Sequence, residues 1–227
     1  MPYVDINCDM GEIADLHANG TQRELLRWCT SVNVSCGAHA GDETLIRATI
    51  ADAQAAGVRV GAHPGYPDPA NFGRIAMDMP PGDLAREITR QLVWFGPDAT
   101  HVKPHGALYN VAVHNKVVAE AIAAGVAAWR RDVILVGLAG SPMLDVFRAA
   151  GFPVWGEAFA DRAYEPDGTL RARTKPGALI SDPEAAADQA IRLASRGDVQ
   201  TICIHSDTPG ATAIARAVRL AVDKLVR

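Results

Sequence analysis

Seven short strand-like runs alternating with helical patterns predict an α/β barrel for this chain of 227 residues. Three observations carry that expectation. The strand–helix alternation continues along the whole chain. Several runs are nearly continuous Val/Ile stretches, as strands covered on both faces are. No low-complexity tract, charge run or linker divides the sequence, so one domain over residues 1–227 is expected. An open doubly wound sheet is the competing architecture.

The runs are Tyr3–Cys8, Val32–Cys36, Val58–Ala62, Thr100–Pro104, Val133–Gly137, Pro153–Glu157 and Thr201–His205. Helical segments between them carry their own punctuation. Ser141-Pro142 and Asp182-Pro183 read as an N-cap followed by Pro in the first turn. Gly57, Gly151 and Gly197 follow Ala-rich or periodic segments, as C-terminal caps do. Thr208-Pro209 is expected to start the last helix. Two stretches lack regular patterning, Asp9–Thr21 and Ala158–Ser181, and long loops in compact domains are often functional.

Aromatics make up only 6% of the chain, so Ala, Val, Ile and Leu must fill the core. The net charge of −4 argues against a nucleic-acid or acidic-lipid surface, which needs a basic face. Cys8, Cys29, Cys36 and Cys203 form no CxxC pair and read as reduced, buried thiols. The start MPYVDINCD has no basic or apolar leader, and the longest strongly apolar stretch, near Val133–Ala139, is far below the ~20 residues that span a bilayer. A cytoplasmic protein is expected. Asn33-Val34-Ser35 matches a glycosylation sequon but falls in a strand expected to be buried.

In either architecture a site forms at the C-terminal ends of the strands. The first strand closes on Asp5-Ile6-Asn7-Cys8-Asp9, and period two puts Asp5, Asn7 and Asp9 on one face. The second leads to His39 and Asp42, the third to His63, and the fourth to Lys103-Pro104-His105. The sixth gives Glu157 and Asp161, and the seventh His205-Ser206-Asp207. Six of seven strands thus end in His, Asp, Glu or Lys. Isolated buried charges are costly and barrel interiors favour apolar side chains, so packing does not explain the pattern and a cleft does. Single residues keep a plainer alternative: His39 or His205 as a structural histidine, Asp42 as a helix cap, the arginines as loop anchors, Tyr109 as packing.

The chain has no GxxxxGK[ST] phosphate loop, no GxGxxG after a strand, no GxSxG elbow and no HExxH. Histidines and carboxylates from separate strands could still hold Zn or Mn; spacing does not test this, and no metal ligand is assigned.

Six segments stand together: DINCDMGE at Asp5–Glu12, NVSCGAHAGD at Asn33–Asp42, GAHPGYPDPANFGR at Gly61–Arg74, HVKPHGALYN at His101–Asn110, EAFADRAYEPDGTLRAR at Glu157–Arg173, and ICIHSDTPGA at Ile202–Ala211. In content and order they resemble the LamB/YcsF family over essentially the whole chain. The resemblance implies a seven-stranded, distorted TIM-like barrel of the polysaccharide-deacetylase type. It also implies ATP-dependent opening of the 5-oxoproline lactam to glutamate, with two partner subunits. The sequence departs from the family pattern at Ile13, where Gly is usual, and at Ser206 within a motif that more often reads HGD. It also looks trimmed before His101 and between Gly197 and Thr201.

Lactam opening needs a base, a proton donor for the ring nitrogen, and positive charge near the phosphate or oxyanion. Asp9 or His63 is the expected base and Lys103 the electrostatic stabiliser. His105 or His205 is the expected acid. Glu157 and Asp161 would orient these groups or grip the ring nitrogen. Arg74, Arg162 and Arg173 suit a substrate carboxylate, and Tyr109 a substrate contact. Asp5, Asn7, Glu12, His39, Asp42 and Asp207 complete the candidate contacts. Two other functions compete: a stand-alone metal-dependent deacetylase or amidohydrolase, and a non-catalytic lactam-binding subunit.

Overall fold

The computed structural model describes residues 4–225. Strands β1 (Asp5–Met10), β2 (Ser31–Ser35), β3 (Arg59–His63), β4 (His101–Val102), β5 (Ile134–Leu138), β6 (Val154–Phe159) and β7 (Thr201–His205) pair in parallel in chain order. β7 also pairs with β1, which closes the barrel and excludes the open sheet. All seven expected runs become strands. Tyr3 lies outside the described residues. β4 is only two residues long, although the Thr100 N–Val60 O and Lys103 N–Ala62 O bonds extend its ladder on the β3 side.

Helices wrap the barrel. The stretch read as irregular after the first strand, Asp9–Thr21, holds the end of β1 and α1 (Ala14–Ala18), and α2 (Thr21–Leu26) begins at its last residue. Then follow α3 (Glu43–Ala55), α4 (Pro81–Phe95), α5 (Gly106–Ala112), α6 (Lys116–Trp129), α7 (Pro142–Ala149), α8 (Pro183–Ala194) and α9 (Ala211–Leu225). Among the described residues, no helix is long and apolar enough to cross a membrane. Asp182 caps α8 as expected, accepting from Ala185 N at 2.8 Å. Gly57 and Gly151, at φ of +70° and +87°, end α3 and α7 in the left-handed conformation that glycine tolerates. Three expectations need correction. Ser141 does not cap α7 with its side chain; its hydroxyl donates to Leu138 O. Gly197 lies beyond a helix that already ends at Ser195 with right-handed geometry. The last helix starts at Ala211, and the Thr208 hydroxyl is used elsewhere.

The long stretch after β6 is irregular, with isolated bridges at Arg162–Leu179 and Tyr164–Leu170. Gln189 of α8 pins its start by donating to the carbonyls of Phe159, Ala160 and Arg162.

The strands are buried on both faces, but for a different reason than uniform apolarity. Outward residues such as Ile6, Val32, Val34, Val60, Ile202 and Ile204 pack into the core beneath the helices. The alternate residues turn inward and are polar: Asp5, Asn7, Asp9, Ser31, Asn33, His101, Glu157 and Thr201 are all at most 7% exposed. Such an interior is tolerated because its groups satisfy one another. At the N-terminal end Asp5 accepts from Thr30, Ser31, Arg59 and Thr201 at 2.5–2.7 Å. One layer up, Asn7 donates to Glu157 (3.0 Å) and Thr201 (2.7 Å) and accepts from Asn33 (2.7 Å). His101 Nε2 donates to Asn33 Oδ1 at 2.9 Å. Burial pushes the His101 imidazole down to about 4, so it sits neutral as a strut. Gly61 makes room for it: a Cβ there would stand 2.2 Å from His101 Nε2.

Candidate active site

A cavity of about 710 Å³ opens at the C-terminal end of the barrel. Its lining brings together eleven of the residues expected from the sequence: Asp9, Glu12, His63, Arg74, Lys103, His105, Tyr109, Arg162, Arg173, His205 and Asp207. His39, Glu157 and Asp161 sit behind the lining and act through it. Asn7 lies below, in the polar interior. Two expectations are corrected. Asp5 is at the other end of the barrel, consumed by the network there. Asp42 accepts from Leu45 N at 2.8 Å and is the N-cap of α3.

Lys103 forms the floor. Its Nζ is 2.8 Å from Glu157 Oε1 and 3.0 Å from Asp9 Oδ1, and it donates to Cys203 Sγ at 3.2 Å. Burial alone would lower a lysine pKa; Asp9, Cys203 and Glu157 outweigh it and hold the ammonium well above its usual range. The same contacts act on Asp9. Burial would raise its carboxyl, but His63 and Lys103 draw it well below the usual range. Lys103 is therefore an ammonium and Asp9 a carboxylate.

His205 and Asp161 form a second unit. Asp161 accepts from His205 Nδ1 (3.0 Å), His205 N (2.9 Å) and the Thr208 hydroxyl (2.6 Å). Against the burial that would raise it, His205 and these hydrogen bonds hold Asp161 ionised. With Nδ1 committed, His205 Nε2 has no protein partner among the described residues. The ring stacks on Phe159, centroids 5.6 Å apart.

Opposite lies a histidine cluster around Glu12. Glu12 Oε1 is 3.1 Å from both His39 Nε2 and His105 Nδ1, and 3.8 Å from His63 Nε2. Burial pushes His39 down to about 4, so it is a neutral donor that steadies Glu12. Burial opposes a charged His63, but Asp9 outweighs it and the pKa rises.

The mouth is cationic. Arg74 and Arg173 share one carboxylate, Asp207, at 2.6 and 3.1 Å. Arg162 is buried and donates to the carbonyls of Ala178 and Arg171, so it anchors the irregular loop. Burial first, then Arg173, lowers its pKa. The Tyr109 hydroxyl and Glu157 Oε2 are buried without hydrogen-bond partners among the described residues.

The expected set lacks Asn33, His101, Thr201 and Cys203. The period-two signal used for Asp5, Asn7 and Asp9 also applies to Asn33 within Val32-Asn33-Val34, and would have placed it inside.

Among the described residues, two groups have metal-ligand atoms within 4.8 Å of one another, Asp9–Cys203–His205 and Glu12–His63–His105. In the first, burial raises the Cys203 thiol well above its usual range and the Lys103 ammonium already donates to Cys203 Sγ and Asp9 Oδ1, so it is a poor donor set.

The LamB/YcsF family model matches residues 4–226. The chain belongs to the LamB/YcsF family. Among its LamB/YcsF relatives, the A subunit of 5-oxoprolinase from Chloroflexus aggregans is 44% identical, covering 96% of this chain and 94% of its own. Its counterpart in Rhodopseudomonas palustris is 42% identical, covering 98% and 95%. The aligned 238 positions of the former outnumber the 227 residues here, in keeping with internal trimming. The crystal structure of a lactam utilization protein from Thermus thermophilus superposes with a TM-score of 0.89 at 38% identity, over 99% of this chain and 98% of that one. A family 4 carbohydrate esterase from Streptomyces lividans shares the fold alone, with a TM-score of 0.54 at 14% identity over 98% of this chain and 88% of that one.

Proposed function

We propose that this chain is the ring-opening component of an ATP-dependent 5-oxoprolinase, converting the lactam to L-glutamate together with two partner subunits. One observation supports this reading most: a single cavity has a cationic mouth over an acid–base floor. At the mouth two guanidiniums share one carboxylate, which leaves a positive charge for the substrate carboxylate. At the floor stands a buried ammonium beside the oriented His205. The name the relatives share, that of one subunit of 5-oxoprolinase, points the same way and supplies the expectation of partners.

A lactam is resonance-stabilised and needs activation. ATP phosphorylates its oxygen, releasing ADP. This chain has no phosphate loop, so a partner performs or shares that step. Water then adds to the former carbonyl carbon. The C–N bond breaks as the ring nitrogen takes a proton, and a second water releases phosphate from the resulting acyl phosphate. In this reading Lys103 stabilises the developing negative charge and Asp9 with His63 directs the water. His205, held by Asp161, delivers the proton, by the same logic as any base fixed by a carboxylate.

The test mixes this chain with candidate partner subunits, ATP and 5-oxoproline, omitting each in turn and following glutamate and ADP. Glutamate is expected only from the complete mixture. Full turnover without this chain would reduce it to a binding component and end the catalytic reading.

A further inference from the structure

We propose that Glu12, His63 and His105 form a binding site for a divalent cation of the zinc class. Hydrogen bonding at the far side of each ring fixes where its proton sits. His63 Nδ1 lies 2.7 Å from the Lys103 carbonyl, and His105 Nε2 lies 2.9 Å from the Phe72 carbonyl. A carbonyl only accepts, so both of these nitrogens carry protons. The remaining nitrogens, His63 Nε2 and His105 Nδ1, face each other at 3.0 Å. With neutral rings, two lone pairs and a carboxylate oxygen converge on one point. One proton on His63 Nε2, which Asp9 Oδ2 also faces at 3.4 Å, would bridge the pair, whereas with both rings charged two N–H groups collide there. A cation accepts all three donors at once.

The distances fit. Metal–nitrogen bonds of ~2.1 Å put neighbouring ligand atoms about 3.0–3.4 Å apart. Here the separations are 3.0 Å between the nitrogens, 3.1 Å from His105 Nδ1 to Glu12 Oε1 and 3.8 Å from His63 Nε2 to the same oxygen. Two imidazoles and one carboxylate favour a borderline ion over Mg²⁺ or Ca²⁺ and leave positions open for water or substrate.

Outer contacts repeat the pattern that orients metal-bound groups, in which each ring donates its far N–H to a backbone carbonyl. His39 donates to the ligating Glu12 oxygen and stacks on His105, centroids 3.7 Å apart. The Phe72 carbonyl reaches His105 from a left-handed backbone at φ +56°, a conformation a bulky residue adopts only at a cost. Charge balance agrees. The Glu12 side chain is buried, and among the described residues no lysine or arginine is ion-paired with it.

The site deepens the proposed function but does not need it for binding. If both hold, the cation takes over water activation, His63 serves as its ligand and Asp9 faces the water. The test needs neither lactam nor partners. Chelator-stripped protein is titrated with ZnCl₂ by calorimetry, with metal analysis after dialysis. About one Zn²⁺ per chain is expected, as a three-ligand site with an open position takes. Glu12→Gln and His105→Asn should each weaken binding by ~100-fold, while the exposed His114→Ala leaves it unchanged. Absence of saturable binding, or equal affinity in Glu12→Gln and wild type, would overturn the site. Should the variants misfold, ring ¹⁵N spectra of the wild type decide. Zinc should move the His63 and His105 signals, and unmoved signals would mean that the cluster shares a proton instead. That outcome would leave the ring-opening reading, with His63 as base, to stand or fall on the reconstitution.

Discussion

At the residue scale the cavity is organised around pairs whose loss has two effects at once. Lys103 is held by Asp9 and Glu157 in a dry setting, so removing it strands two carboxylates. Lys103→Met should cost about 3–5 kcal/mol of stability by urea unfolding, besides losing most glutamate formation in the reconstituted system. Adding Glu157→Gln should restore part of the stability and none of the turnover; near-wild-type turnover in either variant would remove Lys103 from the chemistry. Asp161 gives a cleaner pH test. Its carboxyl is depressed in the folded state, so its contribution is complete above the unfolded value of ~3.9 and is lost as pH falls through the folded value. Asp161→Asn lacks that contribution at every pH. The stability gap between wild type and variant should be roughly 1.5–3 kcal/mol at neutral pH and shrink below about pH 4; a pH-independent gap would refute the assignment. Much of this was legible in the sequence, because a lysine and a histidine at the end of one strand are hard to place otherwise. Who pairs with whom was not, since Lys103 and Glu157 come from strands separated by β5 and meet only inside the barrel.

At the element scale, local signals are reliable where one residue sets the geometry. Asp182-Pro183 opens α8, and Gly57 and Gly151 close their helices, because caps depend on neighbours in the chain. Ser141 and Thr208 look the same in sequence but spend their hydroxyls on Leu138 O and Asp161, contacts that local patterning does not contain. Asp42 shows the opposite confusion. It stands beyond a strand end in a polar motif, yet it caps α3. Asp42→Ala should therefore lower stability by ~1 kcal/mol and leave lactam turnover at the wild-type rate; a loss of turnover at unchanged stability would return it to the site. The short α1 and α2 are invisible to periodicity because five- and six-residue helices carry too few turns to show a period.

At the scale of the whole molecule, the barrel was foreseeable from seven runs and their intervening helices, and closure settled the choice against an open sheet. Less foreseeable was the polar interior. Runs with Val and Ile on one face and Asn, Ser or His on the other look apolar throughout when only their Val and Ile are counted, and alternation describes them better. The interior spine also bears on how the chain reaches this state. The Asp5–Thr201 bond joins residues 196 apart, and the Asn7–Thr201 bond joins residues 194 apart. Until the last strand arrives, Asp5, Asn7 and Glu157 lack partners that the closed barrel provides. Satisfaction of the interior thus waits on closure of a loop that spans nearly the whole chain, with the entropy cost that such a closure carries. A one-residue slip of β1 during that search would turn Asp5, Asn7 and Asp9 toward the helices, so the same groups that delay completion also reject the wrong register.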